Sequence, residues 1–352
     1  MPELNYPFPS HPKEKTLIEV CPGVFWLTMP MGGGSLNHIN LYLLEDDTGW
    51  WVVDTGLAIP EVTGLWQQIF STELKGKPVK AVICTHMHPD HVGQAGMITD
   101  HFKCDFYMTR GEYYQARAFS NTGPSHHTSW LGETFYERAG MSSQYLDELK
   151  KAFNPNSKGV MSMPNLPSGF NRLQDNDILE IGNKKWEIMV GSGHSPEHAC
   201  LYCSELKVLI SGDQILPVIT SNVSVHPSEP EGNPLKEWMN SHYDLLDRIP
   251  NDTFVLPAHN LPFYGVTERL HQLIKHHEER MKLIEDHCVA PTIAKDLLPV
   301  LFQRKLDSRQ SMMALGEVIA HLHLMMSEGR IERTLSEDGI YLFSTREIES
   351  LS

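Results

Sequence analysis

The 352-residue chain predicts an α/β layered protein followed by a smaller helix-and-hairpin module. Three observations carry that prediction. Strand-like and helix-like patterns alternate between residues 61 and 109, as a layered domain requires and a run of hairpins does not. Isolated histidines and aspartates stand at the C-terminal ends of separate predicted strands, where α/β folds gather their chemistry. Beyond residue 260 the pattern turns helical and closes on a hairpin signal.

The elements follow in order. Over residues 17–58, TLIEVCPGVFWLTM, INLYLLED and WWVVDTG read as two or three short strands separated by turn signals at PG, GGG and DDTG. EVTGLWQQIFSTEL (61–74) suits a helix and VKAVICTH (79–86) a buried strand. HVGQAGMITDHF (91–102) suits a short helix before the strand CDFYMT (104–109). Residues 111–170 break the alternation with many aromatics, among them Tyr113, Tyr114, Phe119, Trp130 and Phe153, and read as a helical excursion. Strands resume with DILEIG, KKWEIMVG, ACLYCSE and KVLISGD (177–213), and a long polar connection leads to the helix 235–249 and the strand TFVLPAH. The segment 261–288 reads as one long amphipathic helix, PTIAKDLLPVLF (291–302) and 311–329 as two more. RIERTLSEDGIYLFS forms a hairpin turning at Asp338-Gly339. Helix, helix, hairpin is a winged-helix-like outline. The expected division is a catalytic domain over 1–265, with 111–170 as an inserted lid, and a C-terminal domain over 266–352.

Composition narrows the function. Hydrophobic content of 41% and charged content of 21% belong to a soluble globular protein. No run approaches the roughly 18 consecutive apolar residues of a membrane span. The N-terminal MPELNYPFPSHPKEK sets prolines where a signal peptide needs an apolar segment, so a cytoplasmic location is expected. With 29 Lys+Arg against 44 Asp+Glu, the net charge of -15 disfavours extended nucleic-acid binding. Cys200 and Cys203 of CLYC point to opposite faces of a strand and lack a second pair, which reads as buried structural thiols.

The chemistry concentrates in THMHPDH (85–91). His86 and His88 alternate in extended chain and share one side, and the turn at Pro89 lets Asp90 and His91 reach a second point nearby. GSGHS places His194, LISGD places Asp213 and VLPAH places His259, each directly after a strand. Among the 19 histidines, His276 and His277 beside Glu278 and Glu279 read as a solvated face, and His321 and His323 as packed core.

The set THMHPDH, GSGHSPEH, LISGD and LPAH resembles the metallo-β-lactamase superfamily, specifically its binuclear hydrolases of the glyoxalase II type. Within it, the C-terminal extension resembles lactamase-β-like proteins that append a winged-helix-like domain. The resemblance spans residues 17–346 and implies an αββα sandwich. It also implies that His86, His88 and His194 bind one divalent ion, that Asp90, His91 and His259 bind another, and that Asp213 bridges them. Asp54 in VVDTG matches the aspartate that orients a ligand histidine. Asp90 and Asp213 are then the catalytic carboxylates. Two ions ~3.5–4 Å apart hold a hydroxide at neutral pH and polarise a substrate oxygen. Zinc suits the mixed donors best, and iron and manganese accept them. The chain departs from the family pattern at Ser192 before Gly193, at Ala258 and Asn260 around His259, and in the 194 − 91 = 103 residues between His91 and His194.

The expected substrate is ester-like, a thioester of coenzyme A or glutathione first. Lactone opening, RNA cleavage, a ligand-binding sensor and a one-iron persulfide oxygenase are the alternatives. Tyr113, Tyr114, His126, His127, Trp130, Ser221, Asn222 and His226 are the candidate substrate contacts. Residues 290–352 hold seven positive and nine negative side chains, which argues against a nucleic-acid partner and for an architectural cap. The aromatic excursion could also serve a homodimer face.

Overall fold

The computed structural model describes residues 3–32, 36–122, 125–152 and 165–346. Its chain order begins with β1 (Ile18–Cys21), β2 (Val24–Pro30), β3 (His38–Asp46) and β4 (Gly49–Val53), then α1 (Pro60–Thr72) and β5 (Val79–Ile83). The segment read as one helix over 91–102 is two, α2 (Pro89–Val92) and α3 (Ala95–Phe102). The break falls at Gln94, whose φ of -105° and ψ of 6° leave the helical region, and a side chain at Gly93 before it would lie 2.4 Å from the Gly56 carbonyl and the Ala58 amide. β6 (Asp105–Thr109) leads to the excursion, which is helical as expected: α4 (Arg110–Thr122), α5 (Ser125–Thr128), α6 (Trp130–Arg138) and α7 (Ser143–Ala152). Phe153 lies outside the described residues.

After β7 (Asn171–Leu173) come β8 (Ile178–Ile181), β9 (Lys184–Gly191), β10 (His198–Cys203) and β11 (Val208–Gly212). α8 (Pro234–Arg248), β12 (Phe254–Pro257) and β13 (Phe263–Tyr264) precede α9 (Val266–His287). The long helix therefore starts later than expected, since Phe263 and Tyr264 pair with β12. The stretch 291–302 is also not one helix. Thr292–Ile293 is β14, Ala294–Leu297 a 3₁₀ turn and α10 only Leu298–Leu301, with Pro299 lacking the amide a longer helix needs. α11 (Ser308–Ser327) and the hairpin of β15 (Ile331–Leu335) and β16 (Tyr341–Thr345) close the chain, and β14 adds a third strand to that hairpin.

A seven-stranded sheet runs β1-β2-β3-β4-β5-β6-β7, and a six-stranded sheet runs β13-β12-β11-β10-β9-β8. The first is antiparallel up to β4 and parallel from β4 to β7. Trp26, Tyr42, Val53 and Ile83 of one sheet pack with Trp186, Ile188, Leu201, Ile210 and Leu256 of the other. The opposite face of the first sheet buries Leu27, Leu41, Val52 and Val82 under Val62, Trp66, Ile69, Ile98 and Tyr113 from α1, α3 and α4. Alternating inward residues of each strand thus feed two apolar layers, which is the expected αββα arrangement. Cys200 and Cys203 are buried free thiols on β10.

The chain divides into two compact units: Met1–Asn121, Met161–Ser221 and Ser241–His271 form the first; Thr122–Val160, Asn222–Asn240 and Gln272–Ser352 the second. Residues 122–160 therefore cluster with the C-terminal residues. Within the second unit, α11 is capped by a reciprocal pair in which Asp307 accepts the Gln310 amide and Gln310 accepts the Asp307 amide. His277 is not solvated: it is fully buried, its ring 4.7 Å from Trp238, with Nδ1 3.1 Å from Nε2 of His321. Its position on α9 four residues after Leu273 puts it on the packed face of that helix, which a reading of neighbouring charges overlooked. Among the described residues no helix is long and apolar enough to cross a membrane.

Candidate metal centre

Every expected ligand stands just beyond a strand end in the first unit. β5 runs out at Ile83, and a run of bends over residues 85–88, not the extended chain expected, delivers His86 and His88, with His88 at the N-cap of α2. Asp90 and His91 sit in the first turn of α2. His194 follows β9, Asp213 follows β11 and His259 follows β12. Because β5, β11 and β12 are held in register by parallel pairing with their neighbours, these ends converge.

Two groups result. His86, His88, His194 and Asp213 offer donor atoms within 4.8 Å of one another, as do Asp90, His91 and His259. Asp213 faces both. Its Oδ2 lies 3.4 Å from His194 Nε2, and its Oδ1 lies 3.4 Å from His259 Nε2 and 3.7 Å from His91 Nε2. Asp90 Oδ2 is 3.5 Å from His259 Nε2 and 3.6 Å from His91 Nε2. His91 Nε2 and Asp213 Oδ1 are buried without a hydrogen-bond partner among the described residues. A buried donor set left open in this way fits a bound cation, and mixed imidazole and carboxylate donors are those divalent ions take.

The supporting contacts fix which ring nitrogen faces inward. Asp54, at φ 61°, accepts from the Thr85 amide at 2.8 Å and lies 2.8 Å from His91 Nδ1, so Nε2 of His91 points into the site. His259 Nδ1 lies 3.2 Å from the His38 carbonyl, which orients that ring the same way. Asn40 donates to the carbonyls of Pro257 and Asn260, and Tyr42 to that of Pro257, pinning the loop that carries His259. At the departures from the family pattern the chain supplies its own bonds: Ser192 Oγ donates to the Pro196 carbonyl at 2.8 Å, and the Ala258 amide to Gly212 at 3.0 Å.

Two residues not foreseen from the sequence also matter. The Asp213 amide donates to His198 Nε2 at 3.1 Å, and the His198 ring lies 4.8 Å from that of His86. Gly212, at φ 51°, makes room for it, since a Cβ there would fall 2.4 Å from His198 Nε2. Glu112, fully buried on α4, accepts from the Met87 amide at 2.9 Å and the Glu197 amide at 2.8 Å. GSGHSPEH displays His198, but its strand position gave no sign of its role. Glu112 had no signal beyond a lone acid in an aromatic stretch.

Electrostatics follow the packing. Burial, aided by the neighbouring imidazoles, holds His86 well below the ordinary histidine range and lowers His88 to about 3. Both are neutral donors, the form that coordinates. For His91 burial opposes the charged form, yet Asp54, Asp90 and Asp213 outweigh it and carry it to about 10. Burial would raise Asp213, but His259, His91 and His194 hold it well below the usual carboxylate range. Burial pushes Glu112 up to about 7 against the amides it accepts from.

Residues 34–259 match the Metallo-beta-lactamase superfamily, and residues 281–346 match the Metallo-beta-lactamase-like, C-terminal domain. The chain belongs to the metallo-beta-lactamase superfamily. A crystal structure of a beta-lactamase domain protein from Burkholderia ambifaria is 36% identical, covers 97% of this chain and 98% of its own, and superposes with a TM-score of 0.88. The Bacillus subtilis (strain 168) protein named Probable metallo-hydrolase YqjP is 21% identical over 87% of this chain and 93% of its own length. The human Acyl-coenzyme A thioesterase MBLAC2 is 23% identical over 55% of this chain and 63% of its own length, so the match spans under two thirds of that relative. With both donor groups of this superfamily assembled, the chain is a metal-dependent hydrolase.

The substrate candidates scatter. Tyr113 is core: its ring stacks 4.1 Å from Phe170 and its hydroxyl donates to the Pro167 carbonyl at 3.0 Å. Tyr114 is exposed on the same helix. Ser221 donates to the Asp213 carbonyl and so braces a ligand from behind. In the second unit, Trp130 is exposed, Asn222 donates to Glu317 at 3.5 Å, and buried His127 lies 2.7 Å from the Tyr136 hydroxyl and 6.2 Å from the His226 ring. The His126 side chain lies outside the described residues.

Proposed function

We propose that the chain hydrolyses a small thioester, an acyl-coenzyme A or acyl-glutathione, at a two-ion centre, with zinc as the resident metal. The carrying observation is Asp213 set between the two donor groups, one oxygen toward each. His86, His88 and His194 would hold one ion, Asp90, His91 and His259 the other, with Asp213 shared. When bound, such ions lower the pKa of a water to about 7 and polarise a carbonyl. The protein's own part is positional. Asp54 and the His38 carbonyl hold two imidazoles with Nε2 inward. Asp213, its backbone fixed by His198 and Ser221, orients the attacking water toward the carbonyl carbon. Water oxygen adds to the carbonyl carbon, the carbon–sulfur bond breaks with its electron pair leaving on the thiolate, and the water's proton passes to solvent.

The thioester choice is supported by the acyl-coenzyme A thioesterase activity for which the human relative is named, and a thiolate is a good leaving group that needs no separate acid. A small molecule rather than RNA is favoured by charge. Net charge is -15, and Arg330, Arg333 and Arg346 of the C-terminal residues each face a carboxylate. A hydrolysis panel of acyl-CoA, acyl-glutathione, lactone, phosphodiester and β-lactam substrates, run with zinc, manganese and iron forms, tests this. Thioester turnover that chelation abolishes is expected. Intact thioesters alongside rapid cleavage of another class would overturn it.

A further inference from the structure

The geometry points to Glu112 as a positioning residue that sets the first donor group and leaves the second alone. The proposal rests on the metal-site reading above but not on any substrate. Met87 lies between His86 and His88, and its amide donates to Glu112 Oε2 at 2.9 Å. Glu197 lies three residues after His194, and its amide donates to Glu112 Oε1 at 2.8 Å. One fully buried carboxylate therefore holds the two chain segments that supply all three histidines of that group.

The contact is reciprocal. Glu197 returns a carboxylate to α4, accepting from the Gly111 amide at 2.8 Å, and Thr109 Oγ1 donates to the Glu197 carbonyl at 2.7 Å. The clasp lies beyond the strands themselves, where the Ala199 amide still reaches the Thr85 carbonyl at 2.8 Å. None of these atoms contacts Asp90, His91 or His259. His91 has its own buried carboxylate, Asp54, and the His259 loop is held by Asn40 and Tyr42. Asp54 also accepts from Thr85, whose Oγ1 lies 3.1 Å from His86 Nδ1, so Asp54 serves both donor groups while Glu112 serves the first alone.

A carboxylate matters because both partners are N–H donors. Glu112→Gln keeps the shape but turns an NH₂ toward one of them, so one backbone amide loses its acceptor in a buried place. The consequence should be selective. In an Asp90→Ala background, which isolates the first group, Glu112→Gln should weaken zinc binding by ~10–100-fold, measured by competition with a chromogenic chelator. In a His88→Ala background, which isolates the second, it should change nothing. Asp54→Asn, which disturbs both His91 and the Thr85 hydroxyl beside His86, should by contrast weaken both groups.

Thermal melts of the chelated proteins accompany the titrations, and Glu112→Asp, too short to span both amides, stands in should Glu112→Gln fail to fold. Unchanged affinity in the Asp90→Ala background would overturn the proposal. So would equal weakening of both groups, which marks general damage to the fold. Thioester inactivity of the wild-type protein would bear on the function proposed above and not on these titrations.

Discussion

Asp54 serves two neighbours at once, accepting from the Thr85 amide and facing His91 Nδ1. Asp54→Asn keeps the volume but replaces one acceptor with a donor, so His91 loses the partner that fixes its ring. Turnover should fall by ~10–100-fold with folding intact, checked by kinetics beside circular dichroism. Asp90 belongs to the second candidate donor group, and on the two-ion proposal Asp90→Ala should reduce bound metal from two ions to one per chain and remove most turnover, read by metal analysis of the purified protein. At this scale the donors were legible because four crowd into THMHPDH and the other three, His194, Asp213 and His259, each stand alone just after a strand pattern. Glu112 and His198 were not legible, since neither spacing nor neighbours distinguish a carboxylate bonded to remote amides from an ordinary buried acid.

Beside the α2–α3 break, Gly93 is packed too tightly for a side chain. Its position against the backbone of residues 56–58 leaves no room for a methyl group, and those atoms are backbone that cannot rotate away. Gly93→Ala should cost at least ~1–3 kcal/mol, seen as a lowered melting temperature. It should also disturb His91 two residues earlier. α11 offers a prediction of different origin. Burial lowers His321 to about 3, and its Nδ1 donates to the Glu317 carbonyl at 2.7 Å. A group depressed on folding stabilises above its unfolded pKa near 6.5 and loses that contribution as pH falls. Between pH 7 and 5 about 2 kcal/mol should disappear, and His321→Leu should flatten that slope in denaturant titrations. Helices α1, α8 and α11 were legible from periodicity. The stretch 291–302 was not, because its apolar residues fit a helix while Pro299 and the pairing of Thr292 with Phe343 decide otherwise.

For the whole molecule, metal held by the two donor groups would tie four stretches of chain together, residues 86–91, 194, 213 and 259. Binding to the folded state alone stabilises it by mass action, about 4 kcal/mol at free metal a thousandfold above Kd. Chelation should therefore lower the melting temperature of the first unit and restore it on adding zinc, followed by calorimetry. Substitution of Asp213, shared by both groups, should abolish most of that difference.

The α/β layering, the THMHPDH cluster and the three lone donors after strands were determined by the sequence itself, because strand alternation and residue spacing are local properties. The αββα order and the seven-ligand set followed from the family resemblance those motifs carry. The register that brings His86, His194, Asp213 and His259 within reach of one another was decided by tertiary structure. So were the burial of His277, the third strand at Thr292 and the clasp of Glu112. Each of these depends on which distant backbone amide or apolar surface comes to face a side chain, and only the packed chain fixes that.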